Sequence, residues 1–380
     1  MLAESRMLVI KIGSAVLTDR GSLNQGIIES LSDQIAAVIK AKQDRNITVV
    51  SSGAVAAGRG AMKEQPLAAK DASQQAKQAL AAIGQARLMH AWTRAFARHR
   101  IITAQALLTR EDFHSRERFQ NAANTFGQMF AWDVLPIINE NDTVAVDELK
   151  FGDNDTLASL LVNLVEADLF INLTSAPGVL KTNPQLSESA SVLETIDNIA
   201  SLDIAGLCGA KTSVGSGGMH SKLLAARRVA QLGVPTLILP GKQPDILLRA
   251  FGISQSPDGP PGTWICPQEK AIPRRKFWLA YQSEPCGELV IDNGAAEALM
   301  QKGKSLLPGG ITEVIGEFDK GDLVRVSCAG TDIGVGFCSY DSAELKKIHG
   351  RKRYEIAAIL GNANYPDAIH RDNLLLNAAL

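Results

Sequence analysis

Through its first two-thirds the chain alternates short apolar runs with longer amphipathic stretches, and that order restricts the fold more than any other feature. Runs that read as buried strands occupy residues 8–12, 47–51, 101–107, 134–139, 168–173 and 235–239. Between them lie helix-like stretches near 25–43, 71–98, 115–130, 156–166 and 221–232. Such alternation implies an α/β fold, a mostly parallel open sheet sandwiched by helices. In sheets of this kind ligands bind beyond the carboxyl ends of the strands. The residues just after each apolar run are therefore the candidates for chemistry.

The pattern changes near residue 260. Five of the fifteen prolines fall between Pro257 and Pro273, and the stretch SQSPDGPP at 254–261 can continue neither a helix nor a central strand. Beyond it, short strand-like runs at 287–291, 324–327 and 333–338 are separated by Gly and Asp, which suits a small β-barrel-like domain. The expected organisation is a large domain over 1–265, a joint over 266–275, a small domain over 276–360 and a tail over 361–380. A chain of 380 residues has room for that division.

Composition removes several function classes. Hydrophobic residues make up 46 % and charged residues 21 %, which excludes extensive disorder. Lys and Arg number 39 against 40 Asp and Glu, so no bulk charge draws the chain to nucleic acid or an anionic membrane. The five cysteines, at 208, 266, 286, 328 and 338, form no CxxC pair and no zinc-ligand pattern with histidine. They suit a reducing cytoplasm. The N-terminal apolar run is broken at Lys11, too early for a signal peptide. The richest apolar window, 157–173, contains Asn163, Glu166, Asp168 and Asn172, so no membrane span is expected.

The strand ends carry four notable clusters. Lys11 sits inside the first apolar run, just before Gly13 and Ser14. A buried ammonium needs a partner. Two placements satisfy it: an edge strand from which the side chain snorkels to water, or a strand end whose glycine turn admits a phosphate. The second run ends in Ser51-Ser52-Gly53-Ala54 and continues to Gly58. These small residues suit either tight strand–helix packing or amides facing an anion. Gly53 and Gly58 have P-loop spacing, but Arg59-Gly60 stands where a P-loop has Lys-Ser/Thr, so a P-loop is rejected. The fourth run ends in Asn139-Glu140-Asn141-Asp142, and Gly152-Asp153-Asn154-Asp155 follows at the next turn. Asp and Asn are common turn and cap residues, but this many at two turns on one sheet edge exceeds what capping requires. Finally, Gly215-Ser216-Gly217-Gly218-Met219-His220-Ser221-Lys222 places a glycine-rich loop before a helix with a lysine in its first turn, a weak phosphate signal alone. The six histidines are scattered, and no GxSxG elbow is present.

The motifs VIKIGSAVL, VVSSGAVAAGR, LLTREDFHSRERFQNA, PIINENDTVA, KFGDNDTLASL and GSGGMHSKLLAA, in this order, resemble the glutamate 5-kinases of the amino acid kinase family. The stretch GELVIDNGAAEALMQKGKSLLPGGI resembles the PUA domain that many of those enzymes carry. The resemblance spans nearly the whole chain. It implies transfer of a phosphoryl group from ATP to the side-chain carboxylate of L-glutamate, with Mg²⁺, as the first step of proline biosynthesis. It implies catalytic roles for Lys11, Asp155 and Lys222, and glutamate binding by Ser52, Asp142 and Asn154. It assigns ATP contacts to Lys11, Thr174, Ser175, Ser216, Gly217, Gly218, Met219, His220, Ser221 and Lys222. One departure stands out. Many relatives carry TDxxGL or SDxxGL where this chain has Thr174-Ser175-Ala176-Pro177-Gly178-Val179, which puts base or ribose contacts at that turn in question. The resemblance also implies proline feedback inhibition, a homo-oligomer with residues 71–98 as a candidate interface, and hand-off of product to glutamyl phosphate reductase.

Two competing readings differ in what they require. Acetylglutamate kinase and aspartokinase lack the PUA-like tail and the pairing of INENDTVA with GDND. An RNA-binding role for the tail would need a basic surface. Between Lys276 and Leu360 there are ten basic and twelve acidic side chains, and the local patch Arg351-Lys352-Arg353 with Lys346 and Lys347 suits a solvated helix end.

Overall fold

The computed structural model describes residues 2–19, 21–63, 73–145, 154–181, 191–208, 218–254, 261–269, 271–281, 285–361 and 367–376. The chain divides into two compact units between Ala271 and Ile272.

The first unit is built on one sheet. Its strands in chain order are β1 (Met7–Ile12), β2 (Asn46–Ser51), β3 (Thr103–Leu108), β4 (Leu135–Glu140), β5 (Leu169–Thr174), β6 (Thr195–Ile196), β7 (Thr236–Pro240) and β8 (Thr263–Ile265). Their order across the sheet is β3-β4-β2-β1-β5-β7-β8-β6. The first six run parallel, while β8 lies antiparallel to β7. All six apolar runs read from the sequence are strands, shifted by one or two residues. The two-residue β6 and three-residue β8 are too short to show a pattern, and neither was anticipated.

Strand β1 is central, with β2 on one side and β5 on the other. Lys11 is 3 % exposed. The edge-strand placement is therefore overturned: the ammonium cannot snorkel from a strand covered on both sides. The helices are α1 (Gln25–Lys40), α2 (Ala54–Ala61), α3 (Gln74–Ala97), α4 (Arg116–Ala131), α5 (Asn154–Leu164) and α6 (Met219–Gln231). Ser73 and Ser115 cap α3 and α4 through their side chains. Helix α5 begins at Asn154 rather than near Thr156, so Asn154 and Asp155 lie in its first turn. The apolar faces of β1, β2 and β5 meet α1 and α3 in one core containing Ile10, Ile12, Val49, Ile171, Trp92 and Phe96.

Two backbone features position the end of β2. Gly53 adopts φ +112°, which turns the chain from β2 into α2 at a position hostile to other residues. Helix α2 then crosses α3 with backbones in contact. A Cβ at Gly84 would lie 1.8 Å from the Ala54 carbonyl oxygen, and one at Gly58 would lie 1.9 Å from that of Leu80. Ala54 and Gly58 thus serve helix-on-helix contact, a role beside the two the sequence suggested for this stretch, strand–helix packing and amides facing an anion.

Residues just after β8 belong to the first unit. The Cys266 amide donates to the Ile196 carbonyl at 3.0 Å, and the Gln268 amide to that of Ala230 at 2.9 Å. The second unit holds a five-stranded mixed sheet of β9 (Gly287–Ile291), β10 (Ile311–Gly316), β11 (Leu323–Cys328), β12 (Thr331–Phe337) and β13 (Leu374–Leu376), in the order β10-β9-β11-β12-β13. Its core includes Leu289, Val324, Val326, Leu345 and Ile348. None of the five cysteines is joined in a disulfide. No described helix is long and apolar enough to cross a membrane.

Candidate active site

Three charged side chains converge at the carboxyl edge of the central strands. Lys11 comes from β1, Asp155 from the first turn of α5, and Lys222 from the first turn of α6. Their relative exposures are 3 %, 0 % and 4 %, so each depends on the others for its charge to be tolerated. Lys11 Nζ lies 2.5 Å from Asp155 Oδ1, and Lys222 Nζ lies 3.0 Å from Asp155 Oδ2. The Ser221 hydroxyl donates to Oδ2 at 2.7 Å, and Asn172 Nδ2 donates to Oδ1 at 2.8 Å. Burial alone pushes the Asp155 carboxyl up. The charges of Lys11 and Lys222, with hydrogen bonds from Lys11 and Asn172, outweigh it and bring the pKa from 3.8 down to about 2. The cluster is one carboxylate between two ammoniums, a net positive centre shielded from water. It sits beside the N-terminus of the 13-residue α6, where the helix adds partial positive charge.

A second group is built on Ser52 and Asn154. Asn154 Nδ2 donates to Ser52 Oγ at 2.9 Å and to Asn139 Oδ1 at 2.8 Å. Asn139, at the end of β4, donates its own Nδ2 to Gln85 Oε1 at 2.9 Å. Asp142 lies in the turn that follows β4, closed by the Ala145 amide donating to the Asn141 carbonyl at 3.1 Å. Consecutive positions of α5 thus serve two groups: Asn154 faces the Ser52 side and Asp155 the lysine side.

The remaining expected positions fall around this edge. Thr174 ends β5, its carbonyl accepting from the Gly241 amide at 2.8 Å, and Ser175 is exposed just beyond it. Gly218 precedes α6, Met219 and His220 open it, and the Ser221 hydroxyl also reaches the Gly218 carbonyl at 2.9 Å. Ser216 and Gly217 lie outside the described residues.

The amino acid kinase family profile matches residues 6–240, and the PUA domain profile matches residues 287–360. A glutamate 5-kinase of Nitratidesulfovibrio vulgaris is 53 % identical over 380 residues, covering all of this chain and 97 % of its own length. One from Maridesulfovibrio salexigens is 54 % identical over 380 residues, with 100 % and 98 % covered. The chain belongs to the glutamate 5-kinases of the amino acid kinase family. A more distant glutamate 5-kinase, from Geobacter sulfurreducens, is 43 % identical over 379 residues and covers 99 % of each chain.

The candidate site also contains residues that sequence reading missed. Asn172 interrupts an apolar run and was noted only as a reason against a membrane span. Its register opposite Lys11 was the available signal, and it appears only once β1 and β5 are paired. Asn139 was noted in the polar cluster at the end of β4 but given no role. Gln85 lies in an amphipathic helix, where glutamine ordinarily faces solvent. Arg228 Nη1 donates to Thr156 Oγ1 at 3.2 Å and ties α6 to α5 beside the cluster.

Proposed function

We infer that this chain transfers the γ-phosphoryl group of ATP to the side-chain carboxylate of L-glutamate, giving ADP and L-glutamyl 5-phosphate, the first step of proline biosynthesis. The observation that carries this reading is the buried Lys11–Asp155–Lys222 cluster at the strand ends.

The chemistry needs no general base. A glutamate side chain has a pKa of about 4.3 and is already ionised at neutral pH. One carboxylate oxygen forms a bond to the γ-phosphorus, the bond from that phosphorus to the bridging oxygen breaks, and ADP leaves with the electron pair. No proton is transferred. The obstacle is bringing an anion up to a polyanion, which calls for cations fixed in a dry setting. Lys11 and Lys222 fill that role, and Asp155 keeps both charged and aimed. The amide-bearing start of α6, with Ser216, Gly217 and Gly218 before it, suits the nucleotide phosphates. Thr174 and Ser175 suit its nucleoside end. Ser52 and Asn154 take a carboxylate of glutamate, and Asp142 takes its α-ammonium.

Mg²⁺ is part of the same reading. Asp155 is occupied by four donors, and no group of three or more His, Cys, Asp or Glu among the described residues fits a metal ion. Mg²⁺ brought in with the nucleotide would supply charge neutralisation at its phosphates.

The division of labour belongs to this proposal too: catalysis by the first unit, Met1–Ala271, and tuning of activity or assembly by the second, whose sheet takes in β13 from the stretch expected as a tail over 361–380. Proline feedback, self-assembly and hand-off to glutamyl phosphate reductase rest on likeness to the glutamate 5-kinases. Cysteines outside any disulfide agree with a cytoplasmic setting.

An acyl phosphate is trapped by hydroxylamine as a hydroxamate. ATP-dependent hydroxamate formation with glutamate, and little with N-acetylglutamate or aspartate, is the expected result, and a run with added proline tests feedback. A preference for either other acceptor would overturn the assignment.

A further inference from the structure

Gln78, Gln85 and Trp92 recur at seven-residue intervals on α3 and therefore share one face of that helix. All three reach the half of the site built on Ser52, Asn154 and Asp142. Gln78 Nε2 donates to the Ala145 carbonyl at 3.0 Å, in the turn that carries Asp142. Gln85 Oε1 accepts from Asn139 Nδ2 at 2.9 Å. Trp92 Nε1 donates to Ser51 Oγ at 2.9 Å, and that hydroxyl donates to the Ser52 carbonyl at 3.2 Å. The helix is held in place by the absent Cβ of Gly84, next to Gln85, where α2 leaves no room for a side chain.

We propose that Gln85 is a positioning residue for the acceptor substrate, fixing the polarity of an amide relay that ends at Ser52. An amide side chain has one accepting end and one donating end. With the Gln85 oxygen facing Asn139, Asn139 turns its Nδ2 toward Gln85 and its Oδ1 toward Asn154. Asn154 must then present Nδ2, and it divides the two protons between Asn139 Oδ1 and Ser52 Oγ. Ser52 Oγ accepts, so its own proton is directed to another acceptor. A substrate carboxylate is the partner that chemistry favours. Reversing Gln85 reverses every amide in the chain. The Ser52 proton would then point into Asn154, and its lone pairs would face the incoming anion.

This inference rests on the assignment of Ser52 and Asn154 to glutamate, which KM for glutamate in Ser52→Ala and Asn154→Ala tests separately. The relay is tested by Q85E, Q85M and Q85K, with KM for glutamate and for ATP measured on each and folding checked by circular dichroism. Glutamate at 85 only accepts and preserves the polarity, methionine removes the director, and lysine only donates and opposes it. The expected order of KM for glutamate is wild type and Q85E within about threefold, Q85M higher by about tenfold, and Q85K highest. KM for ATP should stay within about twofold throughout, which a general loss of structure would not allow. Long-range charge alone predicts the reverse order, because a lysine attracts an anionic substrate and a glutamate repels it. A lower KM in Q85K than in Q85E overturns the proposal. So does an unchanged KM in Q85M, or equal shifts for both substrates.

Discussion

Lys11 and Asn172 lie opposite each other on adjacent parallel strands and reach the same oxygen, Oδ1 of Asp155, at 2.5 Å and 2.8 Å. In-register residues of paired strands project to the same face at the same level, so two strand residues can meet one carboxylate from α5. The other oxygen, Oδ2, takes Lys222 and Ser221 from α6. One buried carboxylate thus joins β1, β5, α5 and α6 and presents two ammoniums to whatever enters at the strand ends.

Asn172→Leu tests the contribution of that shared contact. The variant keeps both ion pairs and loses one hydrogen bond to a charged acceptor. Among the described residues Asn172 Oδ1 has no hydrogen-bond partner, so an apolar replacement relieves one unmet group. Urea denaturation should show a loss of about 1–2 kcal/mol, and kcat should fall with it. Unchanged stability and activity would show that Lys11, Lys222 and Ser221 hold Asp155 without Asn172.

Asp155→Asn should cost about 3–5 kcal/mol at pH 7, because two buried ammoniums lose their counter-charge. The pH dependence has a definite sign. The folded pKa of about 2 lies below the unfolded value of 3.8, so the stabilisation is present above pH 4 and lost as pH falls from about 4 to about 2. Denaturation of both proteins at pH 7 and near pH 3 should show the gap narrowing on acidification. A constant gap would mean that the carboxyl is not held in its charged form.

The sheet could be read in advance because its inner parallel strands, β2 and β5 among them, are buried on both faces and form nearly continuous apolar runs. Lys11 stood out for the same reason: a charge inside such a run needs an explanation. The supporting residues were hidden by their ordinariness. A glutamine on an amphipathic helix reads as solvated surface, and only the tertiary fold shows that Gln78, Gln85 and Trp92 face strand ends. The alternative of an edge strand for Lys11 fell to pairing, which a single apolar run does not specify. The start of α5 was misread because Asn154 and Asp155 look like turn residues, while their functional contacts come from its first helical turn.

If Asp142 takes the α-ammonium as proposed, Asp142→Asn should raise KM for glutamate by about tenfold or more, with KM for ATP nearly unchanged. Steady-state kinetics with each substrate varied in turn is the measurement. Equal effects on both substrates would contradict the assignment.

The turn Ser175-Ala176-Pro177 has no aspartate where the family resemblance leads one to expect it after Thr174. With that carboxylate absent, discrimination among nucleoside triphosphates should be relaxed, and kcat/KM for GTP should approach that for ATP within about tenfold. A strong preference for ATP would show that base or ribose selection lies elsewhere.

The central claim is that the paired, buried ammoniums carry phosphoryl transfer, and Lys11→Ala tests it most directly. Hydroxamate formation from ATP and glutamate should fall by about 10²–10³ in kcat or more, in a variant whose circular dichroism matches the wild type. Near-normal kcat in that folded variant would contradict the account.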